Sequence, residues 1–426
     1  MSRNPTTPLA WPAPPSSHPL RSLRVRNYRL FLVGQAASQC GTWLQLVALA
    51  WLVFELTGSG TALGWVTAAT FGPILVLGPW TGMVADRVDK RALLLATQSL
   101  AGLQAAVLGA LVITDWITVP MLYLLALAHG LLYAVENPAR HAIVAELVGP
   151  ADIPAAVSLG GAVSAGGRVL GPLMAGGLIA WAGIGWCFEV NAASYAIAVV
   201  GMLLLRPAEM HAVEPAAPAP GQIVAGLRYA WDVPELRVTL LLTAVVATFG
   251  FNHQVVIPLL AERAFDGGAG TYTLLYSAMS VGAVLGALVV ARRTEIDVAF
   301  LVRGALGFGA ATALVAVAPT LPVAVLAGAL TGAAGLLFVS GSIALLQLRS
   351  APAMRGRVMA LSAMVIVGGM PIGGPLVGWV SEQFGPRWGL GVGAIAAVVA
   401  GAAAGWPRRI PTAGASGAPV DVREDS

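Results

Sequence analysis

Apolar stretches of about 20 residues recur along this chain, each closed by a short cluster of charged, Gly or Pro residues. Twelve are predicted, at about 30–54, 61–83, 92–113, 119–136, 153–180, 185–205, 236–260, 271–291, 298–317, 321–346, 357–381 and 387–406. A helix of about 20 residues matches the bilayer's hydrocarbon thickness, so each stretch is a spanning helix. The predicted fold is all-α and integral to a lipid bilayer, and the length leaves no room for a sizeable soluble domain. The first 28 residues are Pro- and Ser-rich and are predicted disordered, with no small-residue cleavage site after the first apolar run. That run therefore reads as a retained helix and not a signal peptide.

Positive charge separates the two ends of these helices. Of 24 Lys and Arg, 20 fall in the N-terminal segment, in alternate connections and in the C-terminal tail; the other connections hold only Arg263 and Arg387, and Arg168 and Arg303 lie within spans. Basic residues are retained in the cytoplasm, so both termini are placed there and the crossing number is even. Trp116, Trp181, Trp186 and Trp388 lie at the outer ends of spans, where aromatic residues gather at the membrane boundary.

A Pro- and Ala-rich run with an amphipathic segment at 207–235 divides six spans, 29–206, from six more, 236–407, and residues 408–426 form a tail. Gly171-Pro172-Leu173 recurs as Gly374-Pro375-Leu376, 203 residues on, and Gly82 and Gly286 are 204 apart. The offsets predict two pseudo-symmetric six-helix bundles in parallel orientation, an arrangement found among transporters.

Composition narrows the function. Charged residues make up only 10% of the chain and the mean hydropathy is +0.80. The net charge of +4 is scattered, without the dense basic face interleaved with aromatics that nucleic acid requires. Cys40 and Cys187 both lie in apolar stretches, so neither a disulfide nor a metal site is expected, and no cofactor. No convergent acid, base and nucleophile and no phosphate-binding loop points to an enzyme.

The turn Gly82-Met83-Val84-Ala85-Asp86-Arg87-Val88-Asp89-Lys90-Arg91 resembles the G-x-x-x-D-R-x-G-R-K signature of the major facilitator superfamily, in the same place between helices 2 and 3. Asp89 stands where that signature has a second Gly, which predicts a less tight turn. Gly167-x-x-x-Gly171-Pro172-x-x-x-Gly176-Gly177 is similar to the helix 5 motif of the superfamily's antiporters. Glu136-Asn137-Pro138-Ala139-Arg140, Leu227-Arg228-Tyr229 and Leu348 to Met359 resemble the branch of macrolide-efflux and siderophore-export proteins, the transmembrane secretion effectors. Over residues 24–406 the resemblance implies the major facilitator fold in a bacterial inner membrane, a monomer, and proton antiport of a small molecule, as in multidrug resistance. The Arg-Gly of many exporters' helix 4 is replaced by Ala128-His129-Gly130, so a proton would need another carrier.

Ionisable groups at bilayer depth are costly and are candidates for that role. Arg168 lies about 24 Å along span 5 from Asp152 at 1.5 Å per residue, facing either a cavity or a carboxylate that pairs with it. His129, Glu136 and Glu189 are the other candidates; a satisfied core histidine and a solvated interfacial Glu189 are the plainer alternatives. Gly82, Asp86, Arg87, Arg91, Gly171 and Pro172 are the candidate conformational motif. Polar residues at helical spacing, which place each set on one face, give a candidate cavity: Gln35, Gln39 and Thr42; Tyr133 with His129 and Glu136; Thr248 and Asn252; Tyr272 and Tyr276. Such side chains equally bridge helices. The expected function is export of a hydrophobic or amphipathic molecule by alternating access. A lysophospholipid flippase or solute importer is the alternative on the same fold, and a non-transporting receptor the rival of another class.

Overall fold

The computed structural model describes residues 20–211, 222–293 and 296–405, and every regular element in them is helical. Hydrocarbon offers backbone groups no partner, and a helix satisfies them within the segment. The first half comprises α1 (Arg26–Thr57), α2 (Gly60–Arg87), α3 (Lys90–Ile113), α4 (Val119–Leu147), α5 (Ile153–Ala182) and α6 (Gly185–Leu203). A short helix, α7 (Gln222–Asp232), leads to the second half: α8 (Pro234–Gly250), α9 (His253–Phe265), α10 (Ala269–Ala291), α11 (Val298–Val317), α12 (Leu321–Arg349), α13 (Pro352–Gly368), α14 (Met370–Phe384) and α15 (Pro386–Gly405). Twelve helical stretches are long and apolar enough to cross a membrane, with α8–α9 and α13–α14 each counted as one.

One end of the molecule, the tight end, carries connections of a few residues. Gly58, Gly183 and Gly385 turn there at φ of 60°, 93° and 96°, a region that glycine enters without a Cβ penalty. The opposite, terminal end carries α7 and the first and last described residues. Within each half, small residues bring helix backbones together, as is usual in membranes. Gly34 lies against the Ala198 Cα of α6, and Gly282 and Gly286 against the Ala329 and Ala333 backbone of α12.

Two predicted spans are broken. The span read as 236–260 parts between α8 and α9, where Asn252 Nδ2 donates to the Thr248 carbonyl at 2.6 Å; an Asn side chain competes in this way with the helix ladder. The span read as 357–381 parts at Gly369, followed by Pro371, which has no N–H to donate back into α13. The breaks meet, since Gly369 and Gly373 abut Thr248. The N-terminal segment also departs from expectation: residues 20–28 are ordered, with a 3-10 turn at Arg21–Arg24, Arg21 paired to Asp152 at 3.0 Å, and Asn27 bonded to Arg206. Residues 1–19 lie outside the described residues.

α7 packs one face on α13, where Gly226 faces Arg357 and the Tyr229 hydroxyl accepts from the Ala351 N–H at 3.0 Å. Its other face leaves Val224, Leu227 and Trp231 exposed.

Candidate functional site

The halves meet tightly at one end only. A Cβ on Gly378 would strike the Gly60 carbonyl, and one on Gly64 the Gly374 carbonyl, so α2 and α14 are in backbone contact. Beside them the Glu382 carboxylate of α14 accepts from Ser59 Oγ at 2.8 Å and from the Thr61 N–H at 2.9 Å, capping the start of α2 from the opposite half. The Arg263 guanidinium of α9 donates to the Gly58 carbonyl at 2.7 Å, and the Tyr272 hydroxyl of α10 to the Val47 carbonyl of α1 at 3.2 Å. Tyr272 also stacks on Trp51 at 5.7 Å. Among the described residues, these are all the hydrogen bonds between halves, and no ion pair joins them. The halves are therefore held together at the tight end, and among the described residues no hydrogen bond or ion pair joins them at the terminal end.

Replacing Glu382 with alanine is expected to remove the cap from α2. A cap contributes about 1 kcal/mol, so the sealed state should lose population about fivefold. Labelling of a cysteine introduced at the seal by a membrane-impermeant reagent measures this, and unchanged labelling refutes the latch.

Just inside the seal, α5 presents Arg168. It lies on the same helix face as Pro172, Ala175 and Gly176, at spacings of four, seven and eight. Pro172 and Ala175 are buried and Gly176 touches Thr273 of α10, whereas Arg168 is exposed. Arg168 thus lies about two turns from that contact, on the side away from the tight end. Its guanidinium carbon is 4.9 Å from the Trp43 ring centroid of α1, and its charge reaches Tyr276 of α10. Of the two expectations for Arg168, the paired carboxylate is not seen, since no acidic group pairs with it among the described residues.

The first half also carries a polar interior. On α4, His129, Tyr133, Glu136 and Arg140 share one face; the His129 ring stacks on Tyr133 at 6.3 Å and the Arg140 guanidinium sits 5.9 Å from the same Tyr ring. Glu136 is 4% exposed, with Arg140 one turn on and Gln98 of α3 close by. Gln98 is fully buried and neither of its amide atoms has a hydrogen-bond partner, nor does His129 Nδ1. Thr42 bonds the Tyr195 hydroxyl at 3.3 Å. Deeper, Asn191 donates to Gln45 Oε1 at 2.7 Å, Gln45 to Gln104 Oε1 at 3.4 Å, and Ser194 to Asn191. Sequence reasoning passed over Gln45, Gln98, Gln104, Asn191, Ser194, Trp43 and the Glu382 latch. Amides within apolar runs were the available signal for the first four.

The turn between α2 and α3 is two residues long. Asp89, expected to loosen it, has φ −59° and accepts from the Ala92 N–H at 2.7 Å as the N-cap of α3, so no glycine is needed. Arg91 donates to the Met202 and Leu203 carbonyls at the end of α6, where a cation suits the helix dipole, and Lys90 pairs with Glu146 of α4 at 2.7 Å. Arg87 is exposed. The side chain of Asp86 lies outside the described residues, and Gly82 has open space where a Cβ would stand. Gly167 and Gly171 seat α5 on Gln39, Cys40 and Trp43 of α1, while Pro172 is accommodated in an unbroken α5.

Several candidates lie elsewhere than expected. Glu189 packs against Gly109 between α3 and α6, away from the interhalf face. Asn252 is buried against Gly373 of α14, and Thr248 borders the same junction, so this pair locks the helix breaks. Tyr272 is wholly buried in the seal. Gln35 is 6% exposed and the partly exposed Thr42 bonds to α6, while Gln39, Tyr133 and Tyr276 are partly exposed as well. His253 lies edge-on to Phe308 at 6.0 Å, and its Nε2 is buried without a partner.

A family model described as transmembrane secretion effector matches residues 17–422. The chain is 28% identical over 254 residues to the staphyloferrin A transporter of Staphylococcus aureus, a match that covers 58% of this chain and 63% of that relative, less than two thirds of its length. It is 27% identical to the multidrug efflux pump Tap of Mycolicibacterium fortuitum, with 84% of this chain and 89% of Tap covered. It is 26% identical to the enterobactin exporter EntS of Escherichia coli, covering 78% and 79%. Among solved structures, a mutant of the nucleoside transporter NupG superposes with a TM-score of 0.73 at 14% identity, over 89% of this chain and 98% of that one. A bacterial homologue of the lysosomal transporter Spinster, inward-facing and occupied, superposes at 0.70 with 17% identity, over 91% and 97%. At these identities the structures speak for the fold alone.

Proposed function

The chain belongs to the transmembrane secretion effector family of the major facilitator superfamily and is a multi-pass membrane transporter, and from that premise we propose that it exports an amphipathic small molecule from the cytoplasm in exchange for protons. The tight end faces outward and the terminal end, with its excess of Lys and Arg, faces the cytoplasm of a bacterial inner membrane, as positive charge requires. The sealed tight end then makes this the inward-open state of an alternating-access cycle between halves 29–206 and 236–407, completed by a single chain.

The observation that carries the coupling is Glu136, a buried carboxylate on the α4 face that also bears His129, Tyr133 and Arg140. In the inward-open state Glu136 gives its proton to the cytoplasm and cargo enters. When the halves rock and the Glu382 latch opens, cargo leaves and a proton from outside neutralises Glu136. A charge at bilayer depth is costly, which sets the proton-free carboxylate apart from the neutral one, and antiport requires that the empty, proton-free state not cross, so that cargo and proton alternate.

Uphill transport in inside-out vesicles tests this. Acidifying the lumen should drive accumulation of test drugs and dyes drawn from a susceptibility panel in a pump-deficient host. Accumulation that is unchanged after a protonophore collapses the gradient refutes the coupling.

A further inference from the structure

Resting on the reading of this chain as a small-molecule transporter, we infer that its cargo is an organic anion, and that Arg168 with Trp43 and Tyr276 forms the subsite that holds the anionic group beside an aromatic or apolar body. A guanidinium keeps its proton at any physiological pH, so Arg168 relays no proton in a transport cycle and stands as a fixed positive charge. A fixed charge at mid-span is retained where it has a use. The structure leaves three uses to weigh: pairing a carboxylate, supporting a helix junction, or meeting a ligand.

Pairing is not seen, because no acidic group reaches Arg168 among the described residues. Structural support is not seen either, since among the described residues the guanidinium makes no hydrogen bond and the side chain is exposed. Its guanidinium carbon lies over the Trp43 ring, 4.9 Å from the centroid. The ring face holds the cation without using its N–H groups, which have no protein acceptor among the described residues and so are available to a bidentate oxyanion. Tyr276, partly exposed on α10, stands across the gap on the other half. A ligand here touches both halves, which is the position from which cargo can influence their rocking.

The acids nearest in kind are occupied or remote. Glu136 is enclosed in the first half beside Arg140, Glu189 lies between α3 and α6, and Glu382 is bonded in the seal. The exposed charge at the roof of the cavity is therefore positive, and low-dielectric walls concentrate its field on whatever enters. A carboxylate on an aromatic frame satisfies the cation and the rings together.

Equilibrium binding to the full-length protein in nanodiscs tests this without any gradient. The probes share one ring system: 2-naphthoate, its neutral methyl ester, and 2-naphthylmethylammonium. The anion is expected to bind about tenfold or more tighter than either of the others, the ordinary worth of a hydrogen bond to a charged group. Arg168→Gln should erase the preference, and Arg168→Lys should keep its sign at reduced size. If Arg168→Gln does not yield a monodisperse protein, Trp43→Leu should weaken naphthoate binding while the anion remains preferred. Equal or tighter binding of the ester or the ammonium, no saturable naphthoate binding, or a preference that survives Arg168→Gln overturns the inference. Anion preference without proton-driven flux leaves this subsite standing and removes the coupling. Proton-driven export of the ammonium probe with no anion preference does the reverse.

Discussion

Glu136→Gln should stop proton-driven accumulation while leaving downhill exchange of cargo intact. The amide keeps the size and much of the hydrogen-bonding capacity of the carboxyl at a 4% exposed position, so the fold is expected to survive, but the group that alternates between charged and neutral is gone. A coupling free energy of about 1–3 kcal/mol corresponds to about 5- to 150-fold in accumulation ratio, and that loss is the expected size. Glu136→Asp keeps the titrating group and should retain part of the activity. Arg140→Gln should impair transport in a different way, since it leaves Glu136 without the cation one turn away, and an unpaired buried charge is strongly destabilising. Inside-out vesicles carrying Glu136→Gln that accumulate drug at the wild-type ratio would remove Glu136 from the mechanism.

Side chains added at the α2–α14 contact should produce the second large effect, by opposing the seal. A Cβ on Gly64 would come within 2.6 Å of the Gly374 carbonyl carbon and of the Pro375 Cα, and one on Gly378 would meet the Gly60 carbonyl. These neighbours are backbone and cannot rotate away. Overpacking costs about 1–3 kcal/mol, and only the sealed state bears that cost, so Gly64→Val or Gly378→Val should shift the population toward an open tight end by about 5- to 150-fold. A cysteine at Ala50, 7% exposed in the sealed state, placed in a background lacking Cys40 and Cys187, reports the shift through faster labelling by an impermeant reagent from outside, together with slower transport. Labelling at the wild-type rate in both variants would show that close backbone approach does not hold this end closed.

The Gly-Pro repeat shows how far sequence symmetry carries. Gly374-Pro375 lies in α14 against Gly64 of α2, and the matching Gly171-Pro172 lies in α5, the helix whose Gly176 meets Thr273 of α10. The two copies therefore lie on the helices that form the two equivalent seams between the halves. Gly171 itself, however, is used to seat α5 on α1 within one half, and Gly82 and Gly286 share no common environment: open space surrounds one and α12 the other. A shared offset reports common descent of the halves, whereas the face a glycine presents depends on the neighbour that packs there.

The polar candidates divide along the same line. Helical spacing correctly put His129, Tyr133 and Glu136 on one face of α4, because that spacing is a property of the helix itself. It could not say that Tyr272 would be sealed beneath Trp51, that Asn252 would lie against Gly373, or that Glu382, an unremarked acid near a helix end, would cap α2 from the other half. Residues 59 and 382 are 323 positions apart, and no local pattern relates them.

From the sequence alone came the solvent, the element type, the number of crossings, the charge asymmetry and the family signature. Each is decided locally, by whether about 20 consecutive residues can leave water and by which short loops carry cations. Only the tertiary structure decided which end is sealed, which helices are broken, and that no carboxylate among the described residues pairs with Arg168. Those outcomes turn on contacts of a few ångströms between backbones far apart in the chain. In a membrane, where hydrophobicity no longer distinguishes one helix face from another, such contacts depend on small residues and single hydrogen bonds, whose partners are settled only when the helices pack.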